Sequence, residues 1–195
     1  MGTRLFSRTH RNCPLPVCLG FQDCIVIDTD AAQLCGNLAD TNWALGALDA
    51  AATGFREAIA LMRGSNMATK LVLGVNLTNL AGVLVERGDL DEALVAAREG
   101  LDLRKSAGYG WGALDHLALR AALRGRYGDA ARLAGYVDAM FAARGVVRQA
   151  NEARARARLE RVLRDRDTDA NERVAFMAQG ATMSDEDACR LALSS

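Results

Sequence analysis

From about residue 30 onward, the pattern of apolar, small and polar positions reads as helix. Breaks at small or charged-polar residues divide it into segments over roughly 30–44, 47–63, 66–87, 90–106, 110–124, 127–144, 147–166, 169–180 and 184–194. Several starts carry capping chemistry, a side-chain oxygen answered by an acid three residues on: Asp89 with Glu92, Asp169 with Glu172, Ser184 with Asp187. Residues 1–28 lack this period. They mix basic residues, Pro14, Pro16 and cysteines with one short β-like run over 22–27, which predicts an irregular leader ahead of a helical domain spanning 29–195.

Within the helical part the chain repeats itself around three glycines. Leu38-Ala39 leads to Gly46 and Ala51, Leu80-Ala81 to Gly88 and Ala93, and Leu117-Ala118 to Gly125 and Ala130. Each time a large-small pair precedes the glycine by eight and seven residues, and a small residue follows it by five. The leucine suits a core position, the alanine lets a second helix approach, and the glycine supplies a backbone that can turn the chain.

The clearest copy is Glu86-Arg-Gly-Asp-Leu-Asp-Glu-Ala-Leu94, and here the chain resembles the tetratricopeptide repeat family over about residues 31–145. The glycines are 42 and 37 residues apart, against a usual period of about 34. The resemblance implies an all-α fold, a superhelix of stacked antiparallel helix pairs over about 31–64, 67–107 and 110–145, with capping helices over 147–194. It also implies a concave binding surface whose exposed positions fall three, six and ten residues before each glycine. These are Trp43, Asp40 and Gly36; Val85, Gly82 and Thr78; Ala122, Leu119 and Asp115. Asp40, Trp43, Thr78, Val85, Asp115 and Leu119 are the expected partner-binding residues. The mixed lining suits a protein or peptide partner anchored by apolar contacts. Trp43 is either its anchor or a cap on the core between helix pairs.

The tail adds a second likeness. Arg132-Leu-Ala-Gly-Tyr136, an arginine-rich helix, and Gly180-Ala-Thr-Met-Ser-Asp-Glu-Asp-Ala-Cys-Arg-Leu-Ala-Leu193 are similar to the closing segments of bacterial signal-transduction ATPases, cyclases and transcriptional activators. In such proteins an ATPase or DNA-binding effector precedes a sensing repeat array. By that likeness the chain is an array without its effector half.

Bulk properties narrow the partners. Lysine plus arginine equals aspartate plus glutamate at 24 each, so no overall field draws the protein to nucleic acid or to an anionic membrane. No stretch has the roughly 20 uncharged apolar residues of a membrane helix, and the start lacks a secretory pattern; a cytoplasmic location is expected. Five cysteines are an odd number without an export signal, so free thiols are expected.

Candidate chemistry is sparse. Gly64-Ser-Asn-Met-Ala-Thr-Lys70 lacks the second glycine and the following hydroxyl of a phosphate loop, and reads as a turn between helices. His10, Cys13, Cys18, Cys24 and Cys35 lack paired short spacing for zinc, and Cys35 reads as a buried thiol. Asp28-Thr-Asp30 reads as a helix cap. Trp111, among Gly108, Gly110 and Gly112, marks a hinge or a loose loop. His116 is the lone histidine of the array and assembles no nucleophile or general-base set. No catalytic residue, cofactor or metal is expected.

Arg144, Arg148, Arg154, Arg156, Arg158, Arg161, Arg164 and Arg166 form the densest basic run. They spread around the helix without interleaved aromatics, which favours a solvated helix with pairs such as Glu160 to Arg164 over a phosphate-binding face. The leading function is protein–protein interaction in bacterial signalling or transcriptional control; the alternative is a nucleic-acid-associated accessory factor using helix 144–166.

Overall fold

The computed structural model describes residues 21–64, 70–105, 110–166 and 169–194, with side chains from residue 30. Among the described residues there is no strand. The α-helices are α1 (Phe21–Ala44), α2 (Leu48–Gly64), α3 (Lys70–Arg87), α4 (Leu90–Lys105), α5 (Leu114–Leu123), α6 (Tyr127–Arg144), α7 (Ala150–Arg166), α8 (Ala170–Ala181) and α9 (Asp185–Ala192), with a 3-10 turn at Gly110–Ala113 before α5. The protein is an all-α, tetratricopeptide-like superhelix in which α1/α2, α3/α4 and α5/α6 are antiparallel pairs.

The turns explain the repeat. Gly46, Gly88 and Gly125 each follow the first helix of a pair with φ of 78°, 103° and 78°, a left-handed backbone that a side chain disfavours. At each, the amide one residue on donates to the carbonyl five residues before it: Ala47 to Asn42, Asp89 to Leu84 and Arg126 to Ala121, all at 2.9 Å. This Schellman closure satisfies the helix-end carbonyls while reversing the chain. Gly145 ends α6 the same way, with Val146 donating to Phe141.

The small-residue seams sit where the spacing placed them. Ala39, Ala81 and Ala118, and likewise Ala51, Ala93 and Ala130, are all buried. Leu80 and Leu117 are core residues, but Leu38 is 61% exposed, together with Leu34. Its side of α1 has no described element packed on it, whereas the equivalent sides of α3 and α5 meet a neighbour. An ion pair also recurs from turn to turn. The arginine before the glycine reaches the aspartate three residues after the preceding glycine, Arg87 to Asp49 and Arg124 to Asp91.

The N-terminal boundary differs from expectation. Residues 1–20 of the expected leader lie outside the described residues, but 21–28 belong to α1, so the β-like run over 22–27 is helical and Asp28-Thr-Asp30 is mid-helix instead of a cap. Phe21, Cys24 and Ile25 continue at helical intervals into Ala32, Cys35 and Ala39, and that period outweighs the β preference of a three-residue branched run. Most of the 64–70 turn, and Gly108, fall outside the described residues. Of the expected caps, Ser184 accepts from the Asp187 amide and Asp169 from that of Asn171; Asp89 is instead paired with Arg87.

The last helices close the array. α8 lies directly on α6, where Gly135 and Gly180 bring the two backbones into contact. A Cβ at Gly135 would overlap the Met177 carbonyl, and one at Gly180 the Arg132 carbonyl. The two tail segments singled out in sequence therefore meet in space, and Tyr136 adds a hydroxyl hydrogen bond to Asp185 at 2.8 Å. α9 packs against α5, α6 and the 3-10 turn, its final carbonyls accepting from Arg98, Arg120 and Arg126. Trp111 in that turn packs edge-on against Phe141 at 4.9 Å, with Arg144 over its ring.

Gly180→Ala should destabilise the protein by about 3 kcal/mol through overpacking of backbone on backbone, whereas Gly64→Ala, with open space around it, should be nearly neutral. Urea denaturation of both variants measures the difference.

Candidate functional site

The inner helices α1, α3 and α5 converge on one buried carboxylate. Glu86, near the end of α3, accepts from Trp43 Nε1 at 3.0 Å and from Arg154 at 2.9 and 3.2 Å. Arg154 also donates to the Trp43 carbonyl, and Arg158 to that of Glu86. The indole lies flat on α3 because position 82 is glycine; a Cβ there would sit 2.6 Å from Trp43 Cη2 and 3.1 Å from His116 Cδ2. His116 packs at a tilt against Trp43, ring centroids 5.0 Å apart, its Nε2 3.9 Å from Glu86 Oε1.

The arginine-rich helix is the partner of these acids, in place of the solvated helix expected. Arg148 binds the fully buried Asp115 and the partly exposed Asp138; Arg156 binds Asp138, the Ala134 carbonyl and Glu160. Glu160 thus pairs with Arg156, one turn earlier than Arg164. The reason is desolvation: Glu86 and Asp115 lie on inner helices, and a buried carboxylate without a cation costs several kcal/mol. Burial pushes the Asp115 carboxyl above its ordinary value, against the pull of Arg148 and Arg156. Arg161, Arg164 and Arg166 face outward.

Beside this cluster lies a cleft of about 560 Å³, bounded by α1, α3, the α5 start with its preceding turn, and residues 149–152 at the head of α7. Asp40, Trp43 and Thr78 of the expected groove line it. Val85, Leu119 and Asp115 do not: all three are at 0% exposure, as Gly82 and Ala122 are also buried. The expectation that these positions are exposed is corrected, because α7 packs along α5 and takes Asp115 as an ion-pair partner. Trp43, 3% exposed, caps the core between helix pairs while one part of it borders the cleft.

Other lining residues were not singled out in sequence. Asn79 donates to Asp40 at 3.1 Å. Arg104, at the end of α4, reaches over α3 to donate to Thr78 Oγ1 at 2.7 Å. It gets there because Gly74 and Gly100 let the two helices touch; a Cβ on Gly74 would lie 2.8 Å from Arg104 Cγ and 3.0 Å from the Gly100 carbonyl. That glycine pair inside two helices was the readable signal. Glu152 accepts from the Gln149 amide. Two buried atoms, Arg104 Nε and His116 Nε2, have no hydrogen-bond partner, which marks the cleft as polar but incompletely satisfied.

Burial drives the protonation behaviour here. It pushes the Asp40 and Glu152 carboxyls up, the former partly offset by Asn79 and the latter by the Gln149 amide. It pushes the Arg104 guanidinium down, with Glu152 pulling the other way. His116 falls from 6.5 to about 4, through burial first and then the nearby Arg154 cation, so it is neutral at pH 7. Among the described residues no three His, Cys, Asp or Glu side chains gather as a metal site. His10, Cys13 and Cys18 lie outside those residues, and Cys35 is a half-buried free thiol. No described helix is long and apolar enough to cross a membrane.

Residues 28–106 match the family model for the tetratricopeptide repeat, which takes in most of α1 and all of α2, α3 and α4. The third pair, outside that match, keeps the same turn geometry at Gly125. The family is a non-catalytic scaffold fold whose repeats mediate protein–protein interaction. No curated protein and no solved structure matches the chain.

Glu86→Ala should cost about 3 kcal/mol, since it strands the Trp43 indole N–H and a part-buried guanidinium; chemical denaturation checks this. His116, neutral when folded, contributes stability that is complete above pH 6.5 and declines as pH falls toward about 4, a loss approaching about 3 kcal/mol. His116→Gln should remove that decline. The difference between wild-type and variant denaturation curves across this range isolates it from the opposite shifts of Asp40, Asp115 and Glu152.

Proposed function

We propose that the chain is a non-enzymatic recognition module that holds a protein or peptide partner in the cleft lined by Asp40, Trp43 and Thr78. In this reading it acts in the cytoplasm as the sensing array of a bacterial signalling or transcriptional regulator, coupled to an ATPase or DNA-binding effector. One observation carries the partner-binding part. The inner helices of a tetratricopeptide-like array enclose a polar cleft with unsatisfied buried donor and acceptor atoms, and no nucleophile–base pair accompanies them among the described residues. Buried polar atoms of this kind are costly when left alone and are satisfied by a ligand that supplies complementary groups.

The regulatory setting rests on the tail segments around Gly135 and Gly180, whose likeness to bacterial regulators coincides with the α6–α8 crossing. The nucleic-acid alternative is weakened by geometry, because Arg148, Arg154, Arg156 and Arg158 are spent on internal acids and carbonyls. Thr41 lines the cleft from an exposed position on α1, so Thr41→Trp obstructs it without disturbing the core.

Immobilised protein should capture a partner from an extract of its source cells, and Thr41→Trp should lower the captured amount about tenfold. Val95→Glu, on the exposed outer face of α4, should leave capture unchanged. Quantitative mass spectrometry of the eluates decides; retention by Thr41→Trp with loss in Val95→Glu places the partner on the outer face and removes the cleft reading.

A further inference from the structure

The cleft carries charge in an arrangement that specifies a ligand. Asp40 enters from α1, Glu152 from the head of α7 and Arg104 from the end of α4. None of the three has an oppositely charged partner within 4.0 Å among the described residues. Their hydrogen bonds go to neutral groups instead: Asp40 to Asn79, Glu152 to the Gln149 amide and Arg104 to Thr78. Elsewhere on the inner face the opposite holds, since Glu86 and Asp138 are matched by Arg154 and Arg156 of α7 and Asp115 by Arg148 just ahead of it. The inner acids Glu86, Asp115 and Asp138 are thus paired at contact distance, whereas Asp40, Glu152 and Arg104 have no ion-pair contact in the cleft, Glu152 and Arg104 attracting one another only across a longer gap.

A ligand bearing only an anion would meet Arg104 but also two carboxylates, and a ligand bearing only a cation would meet Asp40 and Glu152 but desolvate Arg104. A molecule carrying both signs answers all three. His116, 4% exposed and neutral, adds Nε2 as an unpartnered polar atom in the same wall. The volume of about 560 Å³ lies within the range of about 300–1,000 Å³ usual for small-molecule sites. The head of α7 stands across from α1 and α3, which favours a compact guest over a long continuous segment.

We propose that the cleft binds a small zwitterion of amino-acid to short-peptide size, its ammonium at Asp40 and Glu152 and its carboxylate at Arg104. This rests on the reading of the cleft as the recognition site and narrows its occupant from a protein or peptide partner to a guest of short-peptide size or smaller with free ends. The ligand joins α1, α4 and α7, of which α1 and α7 already meet through the Arg154–Trp43 hydrogen bond.

The probes are the glycyl dipeptides of the standard amino acids with free ends, and the same set N-acetylated and C-amidated, titrated calorimetrically into the full chain. Members of the free set should bind, and their capped counterparts should bind about tenfold or more weakly. Asp40→Asn and Arg104→Gln should each lower affinity by a similar factor with the circular dichroism spectrum unchanged. Should Arg104→Gln perturb folding, Arg104→Lys, which keeps the charge, should retain measurable binding. The inference is overturned by equal binding of free and capped probes, by indifference to Asp40→Asn, or by no binding of any free probe. Equal binding that Thr41→Trp abolishes leaves the cleft reading standing and removes only the zwitterion; unaltered partner capture by Thr41→Trp removes the cleft reading itself.

Discussion

The carboxylate of Glu86 is the constraint around which the inner face is organised. Its side chain is largely buried, at 9% exposure, and a carboxylate in such a place must be given donors and a cation or it destabilises the fold by several kcal/mol. Those groups come from α1 as the Trp43 indole and from α7 as Arg154, while His116 of α5 fills the space beside it. Four helices therefore have to arrive together. Gly82 is a condition of this arrangement, since any side chain there would hold Trp43 away from the acid.

Two kinds of contact divide the work of the fold. One is periodic: the left-handed glycine turns, the alanine seams and the Arg87–Asp49 and Arg124–Asp91 pairs recur from one helix pair to the next. These exposed pairs are individually weak, so the buried seams and the glycine turns carry the stacking. The other kind is unique to the end of the chain. Arg148 and the arginines of α7, the glycine crossing of α6 with α8, and the carbonyls at and just past the end of α9 held by Arg98, Arg120 and Arg126 occur once and convert an open stack into one with a bounded cleft.

Helix number, type and turns were legible because they depend on local chemistry. The Leu-Ala…Gly…Ala spacing states a helix, a left-handed turn and a close approach within about fifteen residues, and the turns at Gly46, Gly88 and Gly125 follow it. What α7 touches was not legible. Its arginines alternate among several faces of one helix, and only the positions of Glu86, Asp115 and Asp138 on three other helices decide which of them turn inward. The groove shared this limitation: Asp40, Trp43 and Thr78 border the cleft, but Val85, Asp115 and Leu119 were displaced into the interior by a helix the repeat pattern does not describe. Arg104 was invisible for a further reason, as it acts on the inner face from the end of an outer helix, through the Gly74–Gly100 contact.

The span of the Arg154–Trp43 hydrogen bond, 111 residues along the chain, has a kinetic consequence. Each helix pair forms through contacts within a few tens of residues, whereas bringing α7 back to α1 closes the longest loop among the hydrogen bonds of the described residues, at a correspondingly large entropic cost of ring closure. Contact order therefore favours early collapse of the helix pairs and later docking of α7, the step at which the inner acids are desolvated and paired. Until that event the acids of the inner face remain hydrated, so an incompletely assembled chain holds its charges in water instead of trapping them in a misplaced core.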